Sequence, residues 1–230
     1  MFGLKLKQKC VAVTLLAGLM VSGAGIMQAQ STRRTRRESN VNRQARIARI
    51  VKDTYSHKWE VGGGGGYLRY RSGQDLQRNN EITFWLSGTR YFNPKLGIEA
   101  DIRGAFGNAK ISPYNEFLKF NPQISQYAFM AGPSYRFYAK EKTAVSVFAL
   151  GGAGVGKFDT GSKGIPSSLL GTWPSETRAA FSAGLNIDYN FYPNLALRVT
   201  PTYLGTTFGG TIQNNAGVNI GLVYRFGRNK

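Results

Sequence analysis

The sequence has very few of the residues that metal sites and disulfides need. Its 230 residues include one cysteine, Cys10, and one histidine, His57. A zinc site built from Cys and His ligands needs three or four of them, and a disulfide needs two cysteines. A Ser-His-Asp enzyme would depend on His57 alone. We therefore expect no metal, no cofactor, no disulfide and no enzymatic activity.

Acidic residues are also scarce. There are 12 Asp and Glu against 30 Lys and Arg, which gives a formal net charge of +18. That balance predicts an anionic partner, either nucleic acid or a lipid surface. Apolar residues make up 42% of the chain, which excludes disorder for most of it, and the 29 glycines exclude a coiled coil.

No apolar stretch reaches the 18 residues expected of a transmembrane helix. The longest stretch, 11–26, follows Lys5, Lys7 and Lys9 and precedes the small residue Ala29. This order is typical of a secretory signal peptide, and we expect 1–29 to be removed after Ala29. An uncleaved inner-membrane anchor is the alternative. Its 16 residues fall short of the roughly 20 that span a bilayer.

A basic arm, 30–58, follows the predicted signal peptide. Residues 31–58 contain nine Lys and Arg against Glu38 and Asp53, a net charge of +7. Residues 42–55 predict an amphipathic helix with isoleucine and valine on one face. The arm either contacts an anionic membrane surface or is a solvated helix docked on the domain that follows. The candidate contact residues are Arg33, Arg34, Arg36, Arg37, Arg43, Arg46, Arg49 and Lys52.

From Trp59 onward, apolar and polar residues alternate with a period of two, which is typical of strands with one apolar and one polar face. In the clearest run, Leu195, Leu197 and Val199 alternate with Arg198 and Thr200. Strands of 10 to 15 residues exceed the usual length in soluble sheets but suit a membrane crossing. The eight predicted strands are 59–71, 81–92, 96–107, 125–138, 143–157, 177–191, 195–206 and 217–226.

The connections between these strands alternate in length. Three are short turns, 93–95, 140–142 and 192–194, and four are long and polar, 72–80, 108–124, 158–176 and 207–216. This is the pattern of an outer-membrane barrel whose short turns face the periplasm. Aromatic residues are expected in two interfacial girdles. One lies at the short-turn end (Tyr91, Phe92, Phe137, Tyr138, Tyr189, Phe191, Tyr224 and Phe226) and one at the long-loop end (Tyr67, Phe84, Phe106, Tyr127 and Phe181).

The polar strand faces carry charges, and a water-soluble barrel would have to bury five of them: Glu99, Asp101, Arg103, Asp188 and Arg225. In a membrane barrel they face the lumen, where carboxylates and guanidinium groups are expected to pair across strands. Such a network either gates a narrow water path or forms a static plug. An eight-stranded barrel is just wide enough for side chains to fill, which favours the plug. The expected interior set is Glu99, Asp101, Arg103, Arg136, Arg178, Asp188, Arg198 and Arg225.

Residues 59–227 resemble the OmpA-like and opacity-protein group of outer-membrane β-barrel domains. The resemblance rests on the strand–turn–strand units 91–99 and 188–196 and on the last strand, 218–226. It implies an all-β fold, an eight-stranded antiparallel up-and-down transmembrane barrel. It also implies insertion by the outer-membrane assembly machinery. Phe226 is not terminal, so the match to the group's C-terminal assembly signal is approximate.

Two glycine motifs invite a nucleotide-binding interpretation. Residues 151–157 spell G-x4-G-K, but Phe158 stands where Ser or Thr must bind magnesium, and no helix pattern follows. Residues 62–66 begin a strand rather than a helix. We interpret both as glycines that make room inside a small barrel. Nucleic acid binding is not expected, because the aromatic residues mark strand ends rather than a stacking platform.

The sequence predicts a monomeric outer-membrane protein of a Gram-negative-type bacterium, with the basic arm and the C-terminus in the periplasm. Its expected role is structural or surface-interacting. Its expected partners are outer-membrane lipid and lipopolysaccharide, the assembly machinery, and an extracellular partner for the long loops. The alternative is a porin-like narrow pore for ions or small solutes. A lipid-modifying enzyme is the third class, and it would depend on His57.

Overall fold

The computed structural model describes residues 40–111, 121–160, 162 and 164–228. The predicted signal peptide, residues 30–39 and most of the loop 108–124 lie outside this range. The chain divides into two compact units, Met1–Gln44 and Ala45–Lys230. Of the first unit, the described residues are 40–44, which begin the first helix. Within the described ranges, no helix is long and apolar enough to cross a membrane.

Eight strands form one closed barrel, in which each strand pairs antiparallel with the next and β1 pairs with β8. The predicted fold is confirmed. Helix α1 is Asn40–Tyr55 and leads directly into the barrel. The strands are β1 His57–Arg71, β2 Arg78–Tyr91, β3 Leu96–Asn108, β4 Gln123–Ala139, β5 Thr143–Thr160, β6 Glu176–Tyr192, β7 Leu195–Thr206 and β8 Gln213–Arg228. The long loops contain a short helix, α2 (Ser167–Leu170), and a 3-10 helix (Phe208–Gly210).

Several strands extend beyond their predicted ends on the long-loop side. Strand β2 begins at Arg78 rather than 81, and β8 at Gln213 rather than 217. Apart from Ala216, the residues added to these two strands are polar, so they show no apolar alternation. The ladder continues through them, and Tyr67 Oη donates to Asn80 Oδ1 at 2.6 Å above the apolar band.

In the stretch 82–86 of β2 both faces are apolar or nearly so, and the sequence does not show which face points inward. The burial of the side chains shows it. Ile82, Phe84 and Leu86 face outward, while Trp85 is buried in the lumen. Trp85 lies against Gly62 of β1, where an added Cβ would come within 2.9 Å of the indole ring. The glycine run of β1 therefore makes room for a large interior side chain.

The outer surface carries the two predicted aromatic groups. At the short-turn end Phe92, Phe137, Tyr138, Tyr189, Phe191, Tyr224 and Phe226 are exposed; at the other end Tyr67, Phe84, Tyr127 and Phe181 are exposed and Phe106 is half-buried. The prediction was wrong for Tyr91, which is 4% exposed and faces the lumen. Tyr91 has the inward parity of β2, and its closeness to the turn does not change the face on which it lies.

Candidate functional site

The short-turn half of the lumen contains a buried ionic network centred on Glu60 of β1. Its carboxylate accepts hydrogen bonds from Arg225 Nε at 2.8 Å and Arg198 Nη2 at 2.8 Å, and it also pairs with Arg136. Glu60 and Arg225 are direct neighbours across the β1–β8 seam. Arg136 reaches Glu60 from β4, on the far side of the lumen. One carboxylate thus ties four strands together.

Asp188 of β6 is the second acidic centre of this network. Its oxygens accept from Arg198 Nε at 2.6 Å and from Arg225 Nη2 at 2.7 Å. Arg198 is its direct cross-strand partner on β7. The network therefore contains two carboxylates and three guanidinium groups, all nearly inaccessible to solvent. Buried charges are tolerated when each is paired and hydrogen-bonded, and this arrangement meets that condition.

A second polar layer lies next to the first. Arg103 makes a bidentate pair with Asp101 two residues before it on β3, with Nη2 at 2.8 Å from Oδ2. Its Nη1 donates across the lumen to Thr202 at 2.8 Å. Glu99 accepts from Asn186 Nδ2 at 3.2 Å, and among the residues that the structure describes it has no ion pair. The expected pairing of Glu99 with an arginine was therefore wrong.

Arg178 lies outside the lumen, contrary to the prediction. Its side chain is 49% exposed, and its Nε pairs with Glu176 at 2.8 Å near the start of β6. Arg178 has the same parity as the interior residues of β6, but it lies beyond the end of the enclosed lumen. The other seven predicted residues all lie inside the barrel.

Sequence reasoning missed two interior carboxylates. Glu60 lies between the outward-facing Trp59 and Val61, so the alternation of the strand would place it on the inward face. The glycine run that follows hides this alternation in the sequence. Glu81 is the first residue of the predicted second strand and directly precedes the apolar stretch 82–86, so no alternation marks its face. It is fully buried and accepts hydrogen bonds from Gln126 at 2.9 Å and from Asn79 at 3.3 Å.

The long-loop half of the lumen is closed by apolar side chains. Phe158 of β5 packs between Phe208 of the 3-10 helix and Tyr70 of β1, with ring centroids 5.1 and 6.2 Å away. Trp173, from the 158–176 loop, donates from its indole nitrogen to the Arg71 carbonyl at 2.7 Å. The whole cluster is Leu68, Tyr70, Ala105, Ala109, Ile124, Ala128, Met130, Phe148, Leu150, Phe158, Trp173, Ala180, Leu204 and Phe208.

Tyr55, the last residue of α1, closes the short-turn end. Its hydroxyl donates to the Lys140 carbonyl at 2.7 Å and accepts from Asn190 Nδ2 at 2.9 Å. The Arg136 guanidinium lies 4.8 Å from the Tyr55 ring centroid and 4.1 Å from that of Tyr91. Burial raises the pKa of Tyr55 above its usual value of 10.0, although the Asn190 hydrogen bond and nearby arginines oppose this. The phenol therefore stays neutral in this position at physiological pH.

His57 lies at the junction of α1 and β1. It is buried, and its Nδ1 lies 3.1 Å from the Thr54 carbonyl. A carbonyl oxygen can only accept, so Nδ1 carries the proton in this contact. The contact links the end of the helix to the start of the barrel.

The predicted surface-contact residues fall in two groups. Arg33, Arg34, Arg36 and Arg37 lie outside the described residues. Helix α1 begins two residues before the predicted 42, and its Arg43, Arg46, Arg49 and Lys52 are exposed. The apolar residues of the predicted opposite face, Ile47, Ile50 and Val51, are half-buried.

Both glycine motifs lie within strands. Residues 62–66 belong to β1 and 151–157 to β5, where their backbones pair with neighbouring strands. A phosphate-binding loop needs free backbone N–H groups before a helix, and a paired strand does not supply them. The interpretation of these glycines as barrel residues is confirmed.

Comparison with known proteins agrees with this architecture. Neisserial surface protein A superposes with a TM-score of 0.55 and 14% identity, over 74% of this chain and 97% of that one. OprG from Pseudomonas aeruginosa gives a TM-score of 0.52 and 12% identity, over 75% and 97%. Ail, the attachment invasion locus protein of Yersinia pestis, gives 0.51 and 20% identity, over 74% and 99%. At these identities the likeness concerns the fold.

No curated protein matches the chain. The family model described as the outer membrane protein beta-barrel domain matches residues 17–226, which is most of the sequence. Together with the closed barrel and its outward apolar face, this match shows that the chain belongs to the family of outer-membrane β-barrel proteins.

Proposed function

We propose that this protein is a non-conducting outer-membrane barrel with a structural or surface-interaction role. The observation that carries the proposal is the Glu60 network, in which three arginines from β4, β7 and β8 converge on one buried carboxylate. These side chains span the lumen, and each is held in place by its ion pairs with the network. A permeating ion would have to break these pairs, whose members are costly to leave unpaired in a buried site.

Two further features support a filled lumen. Tyr55 covers the network at the short-turn end, and the cluster around Phe158 and Trp173 occupies the long-loop half. A cavity between the two halves, beside Arg103 and Gln126, has a volume of about 20 Å³. That is room for about one water molecule.

Planar bilayer recordings test this proposal. Purified protein that shows the gel shift of a folded barrel between unboiled and boiled samples should give no stable openings. The same preparation after boiling serves as the control for leakage caused by unfolded protein. Frequent, stable openings of the folded protein alone would overturn the plug and support the competing function, a narrow pore for ions or small solutes.

The proposed surface role requires the long loops to face outside, with α1 and the C-terminus in the periplasm. Short turns are periplasmic in barrels of this kind. We place the barrel in the outer membrane of a Gram-negative-type bacterium, inserted as a monomer by its assembly machinery. The long loops then face lipopolysaccharide and any extracellular partner. We also propose no enzymatic role, since His57, the histidine on which such an activity would depend, is buried at the junction of α1 and β1.

Cysteine labelling tests the orientation. In a Cys10→Ser background, Leu169→Cys places a thiol on α2, where the native side chain is 70% exposed. Lys142→Cys places one at the last residue of the short β4–β5 turn, 140–142, where the native lysine is exposed. A membrane-impermeant maleimide should label Leu169→Cys in intact cells and Lys142→Cys only after lysis. The reverse pattern would invert the proposed orientation.

A further inference from the structure

A groove lies outside the barrel at its short-turn end, where the C-terminal end of α1 approaches two short turns. It is lined by Val51, Lys52 and Tyr55 of the helix and by Ser56, which directly follows the helix. Its other walls are Pro94 and Lys95 of the β2–β3 turn and Arg136, Phe137 and Ala139 of β4, and its volume is about 500 Å³. Its lining combines apolar side chains with three cationic residues. We propose that this groove binds the headgroup of an anionic phospholipid from the adjacent leaflet.

The position of the groove relative to the bilayer supports a lipid. Phe137 is 55% exposed and belongs to the short-turn aromatic girdle, the level at which aromatic rings meet the headgroup region. An irregularity in the β4–β5 pairing between Arg136 and Tyr138 leaves Phe137 without a partner on β5. Both Phe137 and Tyr138 therefore face outward. The groove thus opens beside the apolar band, where the glycerol and first acyl carbons of a lipid would lie.

The charges of the groove favour an anion. Lys52 and Lys95 are exposed on its two sides, one on the helix and one on the turn. Arg136 forms part of its wall, while its guanidinium charge is paired with Glu60 in the lumen. Asp53, the neighbouring acid on α1, lines a different pocket together with His57 and Asn194. A phosphate group is the anion that lysine and arginine bind at a membrane surface.

The helix is held firmly enough to form a wall. Tyr55 is fixed by Lys140 and Asn190, and the β2–β3 turn is fixed by the Arg136 backbone N–H, which donates to the Lys95 carbonyl at 2.7 Å. Arg136 Nη1 donates to the Pro94 carbonyl at 3.2 Å. Both sides of the groove are therefore built by contacts that do not involve a lipid. In the proposed orientation the leaflet in question is the periplasmic one, which consists of phospholipid.

Native mass spectrometry of the protein ejected from nanodiscs tests the proposal. The nanodiscs contain phosphatidylcholine with a minor fraction of phosphatidylglycerol in both leaflets, so the result does not depend on orientation or on conduction. The wild-type protein should retain phosphatidylglycerol in preference to phosphatidylcholine. In the Lys52→Gln, Lys95→Gln double variant this preference should fall by about 30-fold. The matched control, Lys110→Gln with Lys157→Gln, removes two exposed charges at the long-loop end and should keep it.

Equal retention of the two lipids by the wild-type protein overturns the proposal without any variant, so a folding defect in the double variant cannot hide the answer. Unchanged preference in the folded double variant also overturns it, as does an equal loss in the control. Inorganic phosphate is added in a separate arm. If phosphate alone displaces the retained phosphatidylglycerol, the groove is an anion site rather than a lipid site, and the proposal fails.

Discussion

Replacing Glu60 by glutamine is expected to lower the free energy of unfolding by about 3–5 kcal/mol, the usual cost of removing one member of a buried ion pair. The variant leaves Asp188 as the one carboxylate facing Arg136, Arg198 and Arg225 in the network. The local excess of positive charge rises from one to two, and Arg136 loses the carboxylate with which it pairs. Urea unfolding of the protein in lipid vesicles, followed by tryptophan fluorescence, measures the change.

Glu176→Gln is the matched control for Glu60→Gln. It removes the same charge from the pair with Arg178, whose side chains are 49% and 23% exposed for Arg178 and Glu176. Exposed pairs contribute less than about 1 kcal/mol, so the control should remain close to the wild type. Adding Arg136→Met to Glu60→Gln should recover part of the loss, because it removes the unpaired cation. Equal losses in Glu60→Gln and Glu176→Gln would show that the network does not hold the barrel together.

The second large effect is expected at the seam where the barrel closes. Gly64 of β1 pairs with Gly221 of β8, and a Cβ built at Gly64 would lie 2.1 Å from the Ile220 carbonyl oxygen. These are backbone atoms, so relief requires the two strands to separate rather than a side chain to turn. Gly64→Ala is expected to cost about 1–3 kcal/mol or more and to lower the fraction of protein that migrates as a folded barrel before boiling.

The adjacent residue provides the control for Gly64→Ala. A Cβ at Gly65 would meet its nearest heavy atom, the Thr83 carbonyl oxygen, at 3.5 Å, which is ordinary contact. Gly65→Ala makes the same chemical change one position along the same strand, and its unfolding free energy should stay within about 0.5 kcal/mol of the wild type. If the two variants fold equally well, the β1–β8 seam is wider than the structure shows.

The eight strands could be predicted because each is a local pattern. A period of two needs no knowledge of neighbouring strands, and Leu195, Leu197 and Val199 show it directly. Parity also placed Asp188 and Arg198 on the interior face. The same reasoning was wrong for Arg178, whose side chain is exposed. An odd or even position along a strand gives the face on which a residue lies, but not its height along the barrel. Parity was not applied at Tyr91, which was assigned by its closeness to a turn.

The basic helix was predicted from its charge and periodicity, but its attachment to the barrel was left open. The docking of Tyr55 onto Asn190 and Lys140 joins residues 85 to 135 positions apart. Nothing in the local sequence distinguishes Tyr55 from the other tyrosines. The groove between α1 and the short turns depends on that docking, so it too could not be predicted.

By itself the sequence determined the number of strands, the inward and outward faces of every strand except β2, and the membrane as their environment, since all three follow from the alternation of apolar and polar residues along each strand. The tertiary structure decided which charges meet. Glu60 contacts Arg136 and Arg198 because the stagger of the strands around the closed barrel brings these residues to the same height. Stagger is the sum of the pairing registers of all eight seams, and no single segment contains that information.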